Sequence, residues 1–291
     1  MNFSQLQCFV ALAKTSSFTE AAYEVDLTQS AVSHALAALE SELGVTLLER
    51  NRKGVVSLTH VGQKILPHAQ ALLVQSETIE QEARSAQGLV KGKLRLGHVL
   101  SLCPGLIARL LTIFQQQYPD IEVVLFEGSM QEVYEWIEGG IVDVGFILHP
   151  ARAIKSTLIA TDELCVILPS NHHFQTETGV PHNRLYEYDF IMAKAGCSFQ
   201  MLEMAGLKLG KIKPRIRYQA SDSATILAMI REGLGIGILP RMMVPKKLEG
   251  VVALPLDPPQ QLQIGLATKS SEMSSPAAKL FIQTASTVHS D

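Results

Sequence analysis

Between Thr28 and Leu43 the apolar residues Val32, Leu36, Leu39 and Leu43 return every three or four positions, the spacing that lines one face of a helix. The other side carries Gln29, Ser30, Ser33, His34 and Ala37, small or polar and without an acid. Thr28 is a suitable N-cap, because its hydroxyl can accept from a free N–H of the first turn, and Gly44 is the residue type that ends a helix. Upstream, Leu6, Phe9, Val10 and Ala13 predict a helix over Phe3 to Lys14. Ser17 or Thr19 can cap a second, short helix through Ala21, Ala22 and Val25, and Asp26-Leu27 turns the chain into the third. Val45 to Arg50 then leads through Asn51-Arg52-Lys53-Gly54, a turn signal, to Val55, Val56 and Leu58. The pattern is a helix, a helix–turn–helix and a β-hairpin wing.

From Thr59 to about Gly88 the spacing predicts one long helix. Ile65, Leu72, Ile79 and Ala86 recur every seven residues, with Ala69, Ser76 and Ala83 between them. Such a repeat marks a helix that pairs with another helix; packing on its own body is the alternative. Pro67 should kink this helix or limit its first turn. After Lys91-Gly92-Lys93 the texture changes. Strands are expected at Leu94–Gly97, Ile121–Phe126, Val142–Leu148, Leu164–Leu168, Phe190–Met192, Ile216–Tyr218, Gly235–Leu239 and Leu262–Ala267. Helices are expected at Pro104–Tyr118, Gln131–Glu138, Ser223–Glu232 and Pro276–Val288. Strands alternating with helices imply βαβ units and a parallel sheet.

Charge complicates the obvious reading of the N-terminal module. A short-sided polar helix face can enter a major groove and reach base edges of double-stranded DNA. Yet DNA affinity comes largely from neutralising phosphates, and the formal net charge is −3 over 291 residues. From Met1 to Leu58 the bases are Lys14, Arg50, Arg52 and Lys53, against the acids Glu20, Glu24, Asp26, Glu40, Glu42 and Glu49. The case for DNA therefore rests on where charges sit: Arg50, Arg52 and Lys53 cluster at the wing, where they could hold a backbone phosphate. The four cysteines, Cys8, Cys103, Cys165 and Cys197, show no metal-ligand spacing; no metal and no cofactor is expected, and a reduced, cytoplasmic protein is. Neither a secretory leader nor a run of about 20 apolar residues is seen, so no membrane role is expected.

Many of these residues resemble, in order and spacing, the LysR-type transcriptional regulator family. The resemblance covers nearly the whole chain. It is strongest over Phe3 to Gly62, through Leu6-Gln7-Cys8-Phe9, Ser17-Phe18-Thr19-Glu20-Ala21-Ala22, Gln29-Ser30-Ala31-Val32-Ser33, Leu39-Glu40, Leu43-Gly44, Leu47-Leu48-Glu49-Arg50 and Leu58-Thr59 with Gly62. Weaker matches are Gly92–Gly97, Asp143-Val144-Gly145-Phe146 and Gly233–Pro240. His34 stands where arginine is frequent, which puts the base preference in doubt, and Leu48 stands for a frequent phenylalanine. The resemblance implies an α/β protein: a winged helix–turn–helix over 1–58, a dimerising linker helix over 59–90, and a two-lobed effector domain over 91–291 like a type 2 periplasmic binding protein. Lobe 1 would comprise 91–161 and 268–291, and lobe 2 would comprise 162–267. It also implies a homo-oligomer, dimer or tetramer, that acts by contacting RNA polymerase or blocking it. The expected DNA contacts are Thr28, Gln29, Ser30, Ser33, His34, Arg50, Arg52 and Lys53.

Open α/β sheets bind ligands at the carboxyl ends of their strands. The loops there hold Leu100, Ser101, Leu102 and Cys103; Gly128 and Ser129; Leu148; Gly196, Cys197 and Ser198; and Ser221. By the resemblance, matching loops line the inducer site. Ser101 precedes a helix start and could hold an anion, so a small anionic metabolite is the expected effector, with Leu102, Met130 and Phe199 as apolar walls. Each serine could instead be a helix cap and nothing more. Cys103 and Cys197 would face one another, as inert packing or as a redox pair. The rival classes are an enzyme or a transport-type binding protein. Gly233-Leu234-Gly235 with Gly237 precedes a strand, whereas a dinucleotide loop follows one; no GxSxG, HExxH or P-loop occurs, so no catalytic residues are expected.

Overall fold

Three side-chain caps start the N-terminal helices. In the computed structural model Asn2 accepts from the N–H of Gln5, Ser17 from Glu20 and Thr28 from Ala31, opening α1 (Phe3–Thr15), α2 (Phe18–Glu24) and α3 (Gln29–Leu43). The residues described are 1–50, 56–99, 102–151, 154–193, 215–220, 222–245, 249–269 and 274–288, with backbone alone at 50 and 288. Two units result, Met1–Leu89 with Gly139–Ile141, and the remainder.

In the first unit α1 packs on α2 and α3. Leu6, Phe9, Leu12, Val32, Leu36 and Leu39 form its core with Leu47, Leu48 and Val56. Leu43, expected on the apolar stripe, is 37% exposed at the helix end. β1 (Leu48–Arg50) and β2 (Val56–Leu58) pair antiparallel as the wing. Thr59 then caps α4 (His60–Ser85), 26 residues or about 39 Å long. Pro67 lies inside α4, which continues through it.

In the second unit β3 (Gly92–His98) is flanked by β4 (Ile121–Glu127) and β5 (Val144–Leu148), all parallel. α5 (Pro104–Gln117) connects β3 to β4, and α6 (Met130–Gly139) connects β4 to β5. Gly145 has no room for a side chain, because a Cβ there would lie 2.4 Å from Ile137 of α6. Its neighbour Phe146 turns the other way, onto Phe281 of α8 (Pro276–Val288), with ring centroids 6.1 Å apart. Phe281 also meets Phe114 of α5 at 5.3 Å. The sheet therefore has α6 on one face and α5 with α8 on the other.

The remaining strands correct the expected parallel sheet. β6 runs from Ser156 to Pro169, far longer than Leu164–Leu168. Its first half pairs antiparallel with β12 (Gln261–Ala267), which is itself antiparallel to β5. Its second half pairs antiparallel with β10 (Gly237–Pro240) and with β11 (Val251–Asp257), a strand the hydrophobic pattern does not announce. β7 (Val180–Pro181) extends this sheet, while β8 (Asp189–Ala193) and β9 (Arg215–Ala220) form a parallel pair. α7 (Ser223–Arg231) packs on β6 and β8. The two halves of β6 pair their backbone N–H and C=O groups with two different sets of neighbouring strands, so one continuous strand is shared between them. His172 and His173 stack on one another at 4.4 Å beside buried Phe174.

Candidate functional site

The outer face of α3 is a polar ridge. Thr28, Gln29, Ser30 and His34 are exposed, and Ser33 is half-buried. Thr28 Oγ1 accepts from Ala31 N–H at 3.2 Å and lies 3.0 Å from Ser30 Oγ, so these two hydroxyls are ordered together. Gln29 and His34 present their polar ends outward from a helix whose inner face is fully packed. The acids that spoil the net charge are partly engaged elsewhere. Glu24 pairs with Lys14 at 2.6 Å. Glu40 Oε1 accepts from the N–H groups of Leu47 and Leu48 at 2.6 and 3.2 Å, tying the end of α3 to the wing. Of the expected basic contacts, the side chain of Arg50 and all of Arg52 and Lys53 lie outside the described residues.

The second candidate site is the carboxyl edge of β3, β4 and β5. Leu102 and Cys103 have no accessible surface. The chain turns at once into α5 and both side chains lie in the core, so Leu102 does not form the apolar wall expected of it and the Cys103 thiol presents no surface to a ligand. Gly128 and Ser129 follow β4. A Cβ on Gly128 would sit 2.5 Å from the Trp136 ring, so that indole covers the glycine. The N–H and hydroxyl of Ser129 both donate to Glu132 Oε2, at 2.8 and 2.7 Å, and Glu132 N–H donates back to Ser129 Oγ. Ser129 is thus a capping-box residue, and its hydrogen bonds hold the Glu132 carboxyl below the usual range. Leu148 is nearly buried at the end of β5. Next to it His149 Nδ1 meets Ser156 Oγ at 2.8 Å, over Gly265, where a Cβ would crowd both His149 and the Thr157 carbonyl. Leu100, Ser101, Gly196, Cys197, Ser198, Phe199 and Ser221 lie outside the described residues, so the Cys103–Cys197 pairing does too. Beside Ser221, Asp222 caps α7, accepting from Thr225 N–H and hydroxyl at 2.8 and 2.9 Å. Among the described residues no cluster of three or more His, Cys, Asp or Glu could hold a metal, and no helix is long and apolar enough to cross a membrane.

Residues 3–63 match the family model for the bacterial regulatory helix-turn-helix protein, lysR family, and residues 87–289 match the model for the LysR substrate binding domain. The chain belongs to the LysR family of transcriptional regulators. It is 34% identical to the uncharacterised HTH-type transcriptional regulator YvbU of Bacillus subtilis over 287 residues, 98% of each chain. Among solved structures, this LysR-family chain resembles a full-length OxyR variant from Pseudomonas aeruginosa, with a TM-score of 0.74 at 21% identity over 98% of each chain. It also resembles CbnR, with a TM-score of 0.70 at 22% identity over 100% of each. These two likenesses concern the fold. In this LysR-family chain Glu40 belongs to the matched Leu39-Glu40 pair, yet nothing in that pair announces its hold on Leu47 and Leu48. His149 follows Leu148 in the loop after β5, and its contact with Ser156 leaves no mark in the sequence.

Proposed function

We propose that this LysR-family regulator reads its operator with the exposed ridge of α3 and grips flanking phosphates with Arg50, Arg52 and Lys53. It acts in the cytoplasm as a homo-oligomer, catalyses no reaction, and answers to a small anionic metabolite bound at the carboxyl edge of β3, β4 and β5. Contact with RNA polymerase, or its exclusion, converts binding into regulation. The observation that supports this most is the ridge itself: exposed Gln29, Ser30 and His34 above a buried stripe of Val32, Leu36 and Leu39, each at most 6% exposed. CbnR, whose fold this chain shares, has been solved in complex with its target DNA.

Gel-shift titrations on matched and scrambled duplexes test the proposal. Gln29→Ala removes a side chain able to reach a base edge, worth about 1–3 kcal/mol of discrimination; it should weaken the matched site and spare the scrambled one. Arg52→Ala removes a phosphate contact and should weaken both alike. Equal losses on both duplexes for Gln29→Ala would sink the direct-readout claim. If two wings place six bases on phosphates, log affinity should fall against log salt with a slope of roughly −5. A flat salt dependence excludes the clamp.

A further inference from the structure

Two short 3-10 helices of the second unit, His173–Thr176 and His182–Glu187, are tied together by side chains that take no part in either candidate site. Phe174 has no accessible surface. Three rings surround it, those of His172, His173 and Tyr188, with centroids 5.1, 4.3 and 5.9 Å from its own. The Arg184 guanidinium lies over the same ring at 4.5 Å. A guanidinium over an aromatic face is an attractive contact, so the second short helix is held to the first.

The hydrogen bonds of this cluster fix the protonation of both imidazoles. His172 Nδ1 accepts from Phe174 N–H at 3.3 Å, so that nitrogen carries no proton. His173 Nε2 lies 3.4 Å from a guanidinium nitrogen of Arg184 and 3.1 Å from the Tyr188 hydroxyl. A guanidinium has donors and no acceptor, so His173 Nε2 must accept as well. A protonated imidazole has two donors and no acceptor. Both rings are therefore neutral here.

A proton on either ring would turn an acceptor into a donor that faces another donor, beside a cation. Burial holds the His172 imidazole below its ordinary value of 6.5, and His173 and Arg184 push it the same way. Among the described residues no carboxylate offsets them. Glu187 bears on Tyr188, and Asp189, at the start of β8, is paired with Arg215 and Arg217 of β9. His182, which opens the second short helix, is half-buried, and its Nδ1 has no hydrogen-bond partner among the described residues.

We propose that the stacked His172–His173 pair is an acid-sensitive latch, which holds the two short helices together while both rings are neutral and releases residues 172–188 when either takes a proton. The closed form binds the His172 proton more weakly than the open form. The latch is therefore at full strength above the ordinary value and weakens as pH falls from there towards the lowered one. Uptake of one proton changes the open-to-closed ratio by at most about tenfold per pH unit. Beyond Tyr188, β8 is anchored by Phe190, Ile191 and Met192, each at most 2% exposed, so opening stops there.

Hydrogen exchange of the full-length protein, read by mass spectrometry at about pH 7.5 and about pH 5.5 and corrected for intrinsic rates, tests the latch. Wild type is compared with the double variant His172→Asn/His173→Gln. Asparagine sets its carbonyl oxygen where Nδ1 accepts, glutamine sets its own where Nε2 accepts, and neither titrates. In wild type, exchange over residues 173–188 should quicken by roughly fivefold or more at the acid end, while the rest of the second unit holds. The double variant should show no such response. Equal wild-type exchange at both pH values, or a response that survives in the double variant, overturns the latch. Protection lost across the whole second unit overturns it too, because that is general acid unfolding. Should the double variant fail to fold, the ring signals of wild-type His172 decide: they should titrate below a free histidine, and a midpoint at or above that of a free histidine overturns the proposal.

Discussion

Glu40 would repel a phosphate if it stood free near the end of α3. Instead its carboxylate accepts two backbone N–H groups, at 2.6 and 3.2 Å, from Leu47 and Leu48, where the chain enters the wing. Hydrogen bonds to a charged group are worth about 1.5–3 kcal/mol each, so Glu40→Ala should destabilise the module by roughly 2 kcal/mol or more, while Glu40→Gln, which keeps an acceptor, should lose less. Urea denaturation followed by helical circular dichroism measures both. Gly62 carries a stricter constraint. A Cβ there would lie 2.1 Å from the Leu47 carbonyl oxygen, a backbone atom that is itself held by Thr59 N–H. Gly62→Ala must push the wing away from α4 and should cost about 3 kcal/mol; a melt within a degree of wild type would refute the close approach. Neither constraint is visible along the chain. Glu40 reads as one more polar residue of an amphipathic helix, and Gly62 reads as a flexible glycine, because each is defined by an atom that only the folded wing brings near.

At the scale of elements, legibility follows how locally each element is determined. α1, α3, α5 and α8 follow from apolar spacing because each has a single buried stripe. β6 does not. Its first half, Ser156 to Glu163, is mostly half-buried, so the hydrophobic pattern marks only the fully buried second half as strand. β11 hides because Pro255 interrupts it, and a proline in a strand usually argues against one. β3 and β5 are joined by an ionic bond that the motif residues Arg95 and Asp143 supply. Asp143 Oδ2 accepts from Arg95 N–H at 2.7 Å and lies 3.9 Å from its guanidinium, with both side chains at most 10% exposed. Removing the Asp143 carboxylate leaves the buried Arg95 N–H without this acceptor, which costs about 1–3 kcal/mol. Asp143→Ala should therefore lower the stability of the second unit by that much, and a double-mutant cycle with Arg95→Leu by denaturant titration reads the coupling between the two side chains directly.

At the scale of the molecule, a ridge of five residues reads few bases, and two copies on one duplex would double the reading at the spacing of a helical turn. α4 has the surface for that pairing. The seven-residue repeat places Ile65, Leu72 and Ile79 along one line, and burial changes along it: Ile65 packs against the core of the first unit, whereas Leu72 is 45% exposed and Ile79 71%. Burying such a side chain is worth about 2 kcal/mol, and two from each copy only just offset the cost of association, estimated at 4–15 kcal/mol. A seam that marginal should be sensitive to a single charge. Ile79→Lys forfeits two buried side chains per dimer, about 4 kcal/mol, or roughly a thousandfold in the dimer dissociation constant. Sedimentation velocity should then show monomers at concentrations where wild type is paired, and the melting of α1 to α3 should stay unchanged, because Ile79 touches none of that core. Affinity for a two-half-site duplex should collapse towards that for a single half-site, while single-half-site affinity holds. If Ile79→Lys pairs as wild type does, the seam lies elsewhere on the chain and the exposed stripe of α4 is only a solvated helix face.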